Sequence, residues 1–144
     1  MLVQQILKGK STEGVFTVSP DTPVHEVARL LAEKRIGGLV VSTDGKHAEG
    51  ILSERDIVRA LAARGASCLE MATSALMTKD PICCTLDMMS DEVLRKMTEG
   101  RFRHMPVTKD GELVGIVTIG DVVKARLTQL SAEKDALEGM IMGH

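Results

Sequence analysis

Aromatic side chains are nearly absent from this sequence of 144 residues, which contains two Phe and no Trp or Tyr. Proteins that bind single-stranded nucleic acids or sugars stack rings on aromatic side chains, so this scarcity argues against both classes. The core must therefore consist of Val, Ile, Leu, Ala and Met. Basic blocks are missing as well, since the two charge signs are interspersed and the formal net charge is −2. We expect no nucleic-acid partner.

Cysteine is also scarce, and the three residues Cys68, Cys83 and Cys84 show none of the spacings typical of metal sites. We interpret them as small buried hydrophobic residues in a reducing compartment, and a redox switch at Cys83 and Cys84 is a less favoured alternative. No apolar run is long enough to cross a membrane, and the first residues lack a signal-peptide pattern. These features predict a soluble cytoplasmic protein with no metal site and no membrane partner.

Catalytic motifs are the last notable absence. The sequence shows no nucleophile–base pair, no zinc-type spacing, no G-x-G-x-x-G fingerprint and no Walker-type loop. We therefore expect a protein that is not an enzyme.

The sequence does contain a long internal repeat, in which residues 15–61 correspond to residues 81–127. Arg35 matches Arg101, and each copy has an Asp-Gly pair followed by a Gly-Ile pair. One residue is dropped between these two pairs in the second copy. A repeat of this length predicts two copies of one supersecondary unit that pack against each other.

Each copy is predicted to fold as β-α-β-β-α, which gives an α/β (α+β) fold class. In the first copy we expect the following elements in order: a strand at 15–18, a helix starting at Thr22-Pro23 and stopped by Gly37-Gly38, a strand at 39–41, a hairpin turn at Asp44-Gly45, a strand at 50–52 and a helix at 53–63.

The flanking segments are predicted to be helical. We expect one or two turns at 2–7 and a linker helix around 69–77. We also expect a tail helix after 127, whose apolar residues Leu127, Leu130, Leu137 and Ile141 would dock on a partner. The predicted units are repeat 1 with the first helix at 1–66, and repeat 2 with the linker and tail helices at 67–144.

A hydroxyl and an acid three residues apart follow the last strand of each copy, as Ser53 with Asp56 and Thr118 with Asp121. One interpretation is a capping box, in which both side chains bond backbone N–H groups at the start of a helix. The other is a ligand site, because a carboxylate at such a turn can bind the vicinal hydroxyls of a ribose. The exposed helix N–H groups could then face a phosphate. The spacing alone leaves both interpretations open.

The residues around these turns resemble a known family. The patterns G-I-L-S-x-R-D-I-V and R-x-R-H-M-P-V…D-G…L-V-G-I-V-T-I-G-D-V-V are similar to tandem cystathionine-β-synthase (CBS) domains, also called a Bateman module, and in particular to small stand-alone bacterial CBS pairs. The resemblance implies a pseudo-twofold pair of repeats with two clefts between them. It also implies adenosine-containing ligands (AMP, ADP, ATP, NAD(H) or S-adenosylmethionine) and a homodimer.

The resemblance also implies roles for particular residues. It assigns the ribose hydroxyls to Asp56 and Asp121, with Ser53 and Thr118 beside them. It assigns the adenine edge to the backbone at Gly38-Leu39 and at His104-Met105-Pro106. It assigns packing on the adenine to Val15-Phe16 and to Pro81-Ile82, with Thr78 nearby. Arg103 and His104 match positions that face phosphates in the family.

The two copies differ at the phosphate positions, because Gly37 and Gly38 stand where the second copy has Arg103 and His104. We therefore expect the Asp121 cleft to favour a phosphorylated ligand. We expect the Gly-lined cleft to accept a bulkier group or to stay empty. Arg55 would be the phosphate ligand of the first copy, whereas Gly120 replaces it in the second copy and Lys124 is the cation there.

The favoured function is a non-catalytic adenine-nucleotide sensor that acts on an unidentified protein partner. AMP is the first choice of ligand, ahead of NAD(H) and ATP. The alternatives are a structural dimerisation module with vestigial clefts and the redox switch.

Overall fold

The computed structural model describes residues 1–10 and 15–142. Its helices are α1 (Val3–Lys8), α2 (Val24–Lys34), α3 (Glu54–Arg64), α4 (Thr73–Leu76), α5 (Ser90–Gly100) and α6 (Ile119–Ile141), with a 3₁₀ helix at Gly65–Glu70. Its strands are β1 (Thr17–Val18), β2 (Gly38–Val41), β3 (Gly50–Ser53), β4 (Thr78–Lys79), β5 (Cys84–Thr85), β6 (His104–Lys109) and β7 (Glu112–Thr118).

The predicted α+β fold with two β-α-β-β-α repeats is confirmed. The first sheet has the order β1-β2-β3-β4 and the second has the order β5-β6-β7. In both, a short first strand pairs in parallel with the next strand, which pairs in antiparallel fashion with its successor. The registers correspond, since Val18 lies opposite Val41 and Cys84 lies opposite Val107. Strand β4, which the sequence did not predict, extends the first sheet.

One boundary prediction needs correction. Gly37 and Gly38 do not stop α2, because the helix ends at Lys34 and Arg35 adopts a left-handed conformation with φ of 54°. Arg101 does the same after α5, with φ of 56°. Glycine is the usual residue at such a helix end. Because both copies have an arginine there instead, the sequence does not show where these two helices end. Gly38 instead begins β2.

The Asp-Gly turns also differ between the copies. Asp110 and Gly111 both have positive φ, 52° and 81°, as a two-residue type I′ hairpin requires. In the first copy the connection runs from 42 to 49. The Asp44 carboxylate there accepts hydrogen bonds from the backbone N–H groups of Lys46 and His47. The first turn is therefore a longer loop held by its aspartate.

The packing exchanges segments between the repeats. Val3 and Ile6 of α1 are buried in the core of the second repeat, whereas Leu69 and Leu76 of the linker pack on the core of the first. The linker is a 3₁₀ helix followed by the short α4, not one helix over 69–77 as predicted. The boundary between 66 and 67 thus divides the sequence repeats but not the packed units.

The tail forms one helix with the end of the second repeat, because α6 runs without a break from Ile119 to Ile141. Of the helices in the described ranges, none combines the length and apolar character needed to cross a bilayer.

Candidate functional site

Both predicted capping boxes are present at the starts of α3 and α6. Ser53 donates from its backbone N–H and its Oγ to Asp56 Oδ2, at 2.9 and 3.0 Å. Thr118 donates from its backbone N–H to Asp121 Oδ2 at 2.9 Å, and its Oγ1 accepts from the Asp121 N–H at 3.1 Å. Since a capping carboxylate has further lone pairs, this structural role leaves each aspartate able to accept from a ligand.

Asp56 lines a cleft of about 490 Å³ between the two repeats. The first repeat contributes Gly37, Ile51, Ser53, Glu54, Arg55, Asp56 and Arg59. The rest of the lining consists of Thr78, Asp80, Pro81, Ile82, Gly100, Arg101, Phe102, Arg103 and His104. The volume lies within the range of small-molecule pockets.

Four arginines dominate the charge of this Asp56 cleft: Arg55, Arg59, Arg101 and Arg103. In the described part of the chain, the arginines that pair with carboxylates are instead Arg29, Arg95 and Arg126. The guanidinium groups of the cleft thus remain available for an anion, and guanidinium binds phosphate in bidentate fashion.

The cleft also has an apolar wall made by Pro81, Ile82 and Phe102. Ile82 is 50% exposed, which is high for a large aliphatic side chain. A flat apolar ring such as adenine could cover it, so the cleft offers a carboxylate, an apolar surface and cations in one place.

His104 lies at the contact between the repeats. A Cβ atom on Gly38 would stand 3.0 Å from two atoms of the His104 ring, so the ring packs directly over the Gly38 backbone. Burial lowers the pKa of His104, and the nearby Glu54 and Asp56 carboxylates, which would raise it, do not compensate. The space expected above Gly38 is thus filled by the imidazole of the other repeat, which removes the predicted room for a bulkier group there.

The expected grouping of charges also needs correction. Arg103 and His104 were assigned to the Asp121 cleft, but both line the cleft that contains Asp56. The reason is the packing of the repeats, in which β6 of the second copy contacts β2 of the first. Arg103 and His104 lie at the start of β6 and therefore reach the cleft that contains Asp56 of the first copy. Gly37 lines that same cleft, so the glycine position and the arginine position share one site.

Asp121 has a different environment, because a lysine of the chain contacts it. Lys10 Nζ lies 2.8 Å from Asp121 Oδ2 and donates a second hydrogen bond to the Ile116 carbonyl at 2.9 Å. Burial would raise the pKa of Asp121, but the hydrogen bonds from Lys10 and Thr118 outweigh burial and lower it. Asp121, Lys10 and Lys124 line a separate pocket of about 400 Å³.

The other predicted site residues lie around these two regions. Phe16 is part of the chain just before β1, and the Lys34 ammonium stands 4.4 Å from its ring centroid. Leu39, Met105 and Pro106 are buried with their side chains in the interior, so only their backbone could face a ligand. The structure brings eight of the predicted residues together in the Asp56 cleft: Ser53, Arg55, Asp56, Thr78, Pro81, Ile82, Arg103 and His104. It does not bring in the others, namely Val15, Phe16, Gly38, Leu39, Met105, Pro106, Thr118, Gly120, Asp121 and Lys124.

Several lining residues escaped the sequence analysis, among them Arg59, Arg101 and Phe102. Arg59 follows Arg55 by four residues on α3, and this spacing places two side chains on one helix face. That signal was available in the sequence. Arg101 was noted only as the match of Arg35 in the repeat, and its left-handed backbone, which determines where its side chain projects, was not predictable.

The cysteines fit the interpretation as small core residues. Cys68 and Cys84 are buried, and burial raises the pKa of Cys84 to about 12. Burial raises the pKa of Cys83 as well. Because the thiolate is the reactive form, these environments disfavour a redox switch.

The comparison with known proteins identifies the same two repeats. The sequence profile of the CBS domain matches twice, at residues 3–63 and 73–128. A mitochondrial CBS domain-containing protein of Arabidopsis thaliana, CBSX3, is 32% identical over 141 residues, which cover 94% of this chain and 68% of the relative. Several other curated relatives are much longer, and this chain matches only 22% of one and 19% of two others.

Two solved structures show the same architecture. The crystal structure of a CBS-domain-containing protein from Agrobacterium tumefaciens has a TM-score of 0.82 and 42% identity, covering 88% of this chain and 99% of that one. A CBS domain protein from Pyrobaculum aerophilum, solved in complex with AMP, has a TM-score of 0.77 and 28% identity, covering 92% and 99%.

Proposed function

This chain belongs to the CBS-domain family, and from that premise we propose that it is a non-catalytic regulatory module that binds an adenine nucleotide in the Asp56 cleft. The observation that carries the proposal is the composition of that cleft. A capped carboxylate, an exposed apolar wall and four arginines that pair with no carboxylate among residues 1–10 and 15–142 line one space of about 490 Å³.

Each part of the cleft matches one part of a nucleotide. The Asp56 carboxylate can accept hydrogen bonds from the ribose hydroxyls. Ile82 and Pro81 offer the surface on which adenine would pack. Arg55 and Arg103 supply charge-assisted hydrogen bonds for phosphate. These roles were expected for Asp56, Pro81 and Ile82, and we include Arg103 with them because it lines the same cleft.

The ligand class draws support from relatives as well as from charge. The Pyrobaculum protein was solved with AMP, and four arginines face three carboxylates in the cleft of this chain. An anionic nucleotide suits that balance better than a neutral nucleoside does. We therefore propose AMP first, with ATP and NAD(H) as larger members of the same class.

The regulatory step is a shift between two arrangements of the module. A ligand changes such an equilibrium only through its different affinity for the two states, and a ligand between the repeats touches both. A second copy of the chain would bind at the exposed leucines of α6, and a shift between the repeats would change that contact. The acting unit in this proposal is a homodimer.

A thermal-shift panel tests the proposal. AMP at about a hundred times its dissociation constant should add roughly 2.7 kcal/mol to the free energy of unfolding. For a chain of this size, the melting midpoint should rise by about 4–10 °C. UMP at the same concentration is the control, since it carries the same phosphate and ribose without adenine.

The outcome also separates the alternatives. A rise with AMP or another adenine nucleotide, absent with UMP, supports the sensor. No rise with any adenine nucleotide at millimolar concentration would leave the structural dimerisation module with vestigial clefts as the function.

A further inference from the structure

We infer that Lys10 acts as a built-in competitor at the Asp121 carboxylate, so that this chain binds its nucleotide at the Asp56 cleft and keeps the Asp121 side closed. The inference rests on the proposed function, because it concerns which of two repeated sites a nucleotide can use. It depends on contacts within the chain that the repeat itself does not predict.

The first observation is the contact between Lys10 and Asp121. Its ammonium donates to Asp121 Oδ2 at 2.8 Å and to the Ile116 carbonyl at 2.9 Å. The side chains of Lys10 and Asp121 are only 21% and 23% exposed. A partly buried pair is less screened by solvent than a surface pair, and a ribose hydroxyl would have to displace a charged donor to reach this oxygen.

The second observation concerns the adenine position. Ile82 lines the Asp56 cleft, and Phe16 is the residue that matches Ile82 in the repeat, so Phe16 would take the adenine position of a site at Asp121. The Lys34 ammonium lies 4.4 Å from the centroid of the Phe16 ring, within the range of a cation–π contact. An adenine ring would compete with that lysine for the same face.

Among residues 1–10 and 15–142, neither obstacle is present on the Asp56 side. The hydrogen bonds to the Asp56 carboxylate in the described part of the chain come from Ser53, its own cap. The residue that corresponds to Lys34 is Gly100, which lines the open cleft. Two lysines thus close one site at the two positions where the other site is open.

Calorimetric titration with AMP tests the inference. The unaltered chain should bind one AMP, and Lys10→Met should bind two. We expect the second site to be roughly 5–150-fold stronger in Lys10→Met than in the unaltered chain, the range typical of coupling within a protein. The added site should disappear when Asp121→Asn is combined with Lys10→Met. Lys8→Met is the matched control, because Lys8 is an exposed lysine on the same segment, and it should still bind one AMP.

The possible outcomes distinguish this inference from the proposed function. Binding of AMP by the unaltered chain with no gain in Lys10→Met would overturn the competitor role and leave the function intact. Weaker binding in Lys10→Met would make Lys10 a ligand contact instead. No binding of AMP, ATP or NAD(H) by any variant would refute the function itself.

A measurement on the unaltered chain guards against a variant that fails to fold. In an AMP titration followed by backbone amide NMR, signals of 53–56 and 81–82 should shift with the first equivalent. Signals of 118–121 should stay in place until a large excess is present. Parallel shifts of both groups would overturn the inference.

Discussion

At the scale of single residues, the proposed phosphate contact depends most on the position of Arg103. Arg103 lines the Asp56 cleft, so Arg103→Ala should reduce the preference for AMP over adenosine. We expect the preference to fall by about tenfold or more, because a hydrogen bond to a charged group contributes roughly 1.5–3 kcal/mol. Calorimetry with both ligands measures it, and adenosine binding should change little.

The control is Arg95→Ala, which removes an arginine that pairs with Glu99 on the exposed face of α5. Its preference should match that of the unaltered chain. If Arg103→Ala also keeps the full preference for AMP, then Arg103 does not bind phosphate and the other cleft arginines must.

The role of a residue could be predicted from the sequence where it depends on local pattern. It could not be predicted where it depends on how the two repeats pack against each other. Ser53 and Asp56 were predictable as a cap and candidate ligand pair because both lie in one turn of chain. The transfer of Arg103 to the Asp56 cleft and the filling of the space over Gly38 by His104 arise between the repeats. No periodicity within one copy encodes them.

At the scale of elements, the tail of α6 is the feature that most clearly calls for a binding partner, because its apolar side chains are exposed. Leu127 is 62% exposed and Leu137 is 59% exposed, although both lie on the apolar pattern that predicted docking. Burying such side chains is worth roughly 1.5–3 kcal/mol each. A second copy of the chain, related by a twofold axis, would supply the missing surface.

Truncation after Leu127 should therefore weaken the proposed homodimer and leave nucleotide binding largely intact, since the described lining of the Asp56 cleft contains no residue of α6. Light scattering at high micromolar concentration measures the assembly. Glu133→Ser, at an exposed polar position of the same helix, is the control and should remain dimeric. A monomeric unaltered chain at that concentration would contradict the proposed dimer.

The elements themselves were largely predictable because their signals are local. The two capping boxes mark where α3 and α6 begin, and the Asp-Gly pair marks the second hairpin. The ends of α2 and α5 were not predictable, since Arg35 and Arg101 adopt a left-handed conformation without a glycine. After each arginine the chain bonds back to the helix, from the Ile36 N–H to the Leu31 carbonyl and from the Phe102 N–H to the Met97 carbonyl.

At the scale of the whole molecule, the repeat predicted two similar units but not their exchange of segments. Helix α1 packs on the second repeat and the linker packs on the first. This exchange brings Lys10 to Asp121, and hence it makes two equivalent sequence motifs into unequal sites. The asymmetry belongs to the assembled fold and is visible in neither copy alone.

The most direct test of the central claim is a calorimetric titration of AMP into the unaltered chain, Asp56→Asn and Asp121→Asn. Both substitutions retain an oxygen that can serve the cap, so they differ mainly in which site loses its charge. We predict that Asp56→Asn weakens binding by about tenfold or more, whereas Asp121→Asn changes it by less than about twofold. Unchanged AMP affinity in Asp56→Asn would contradict the account, because the nucleotide would then bind elsewhere.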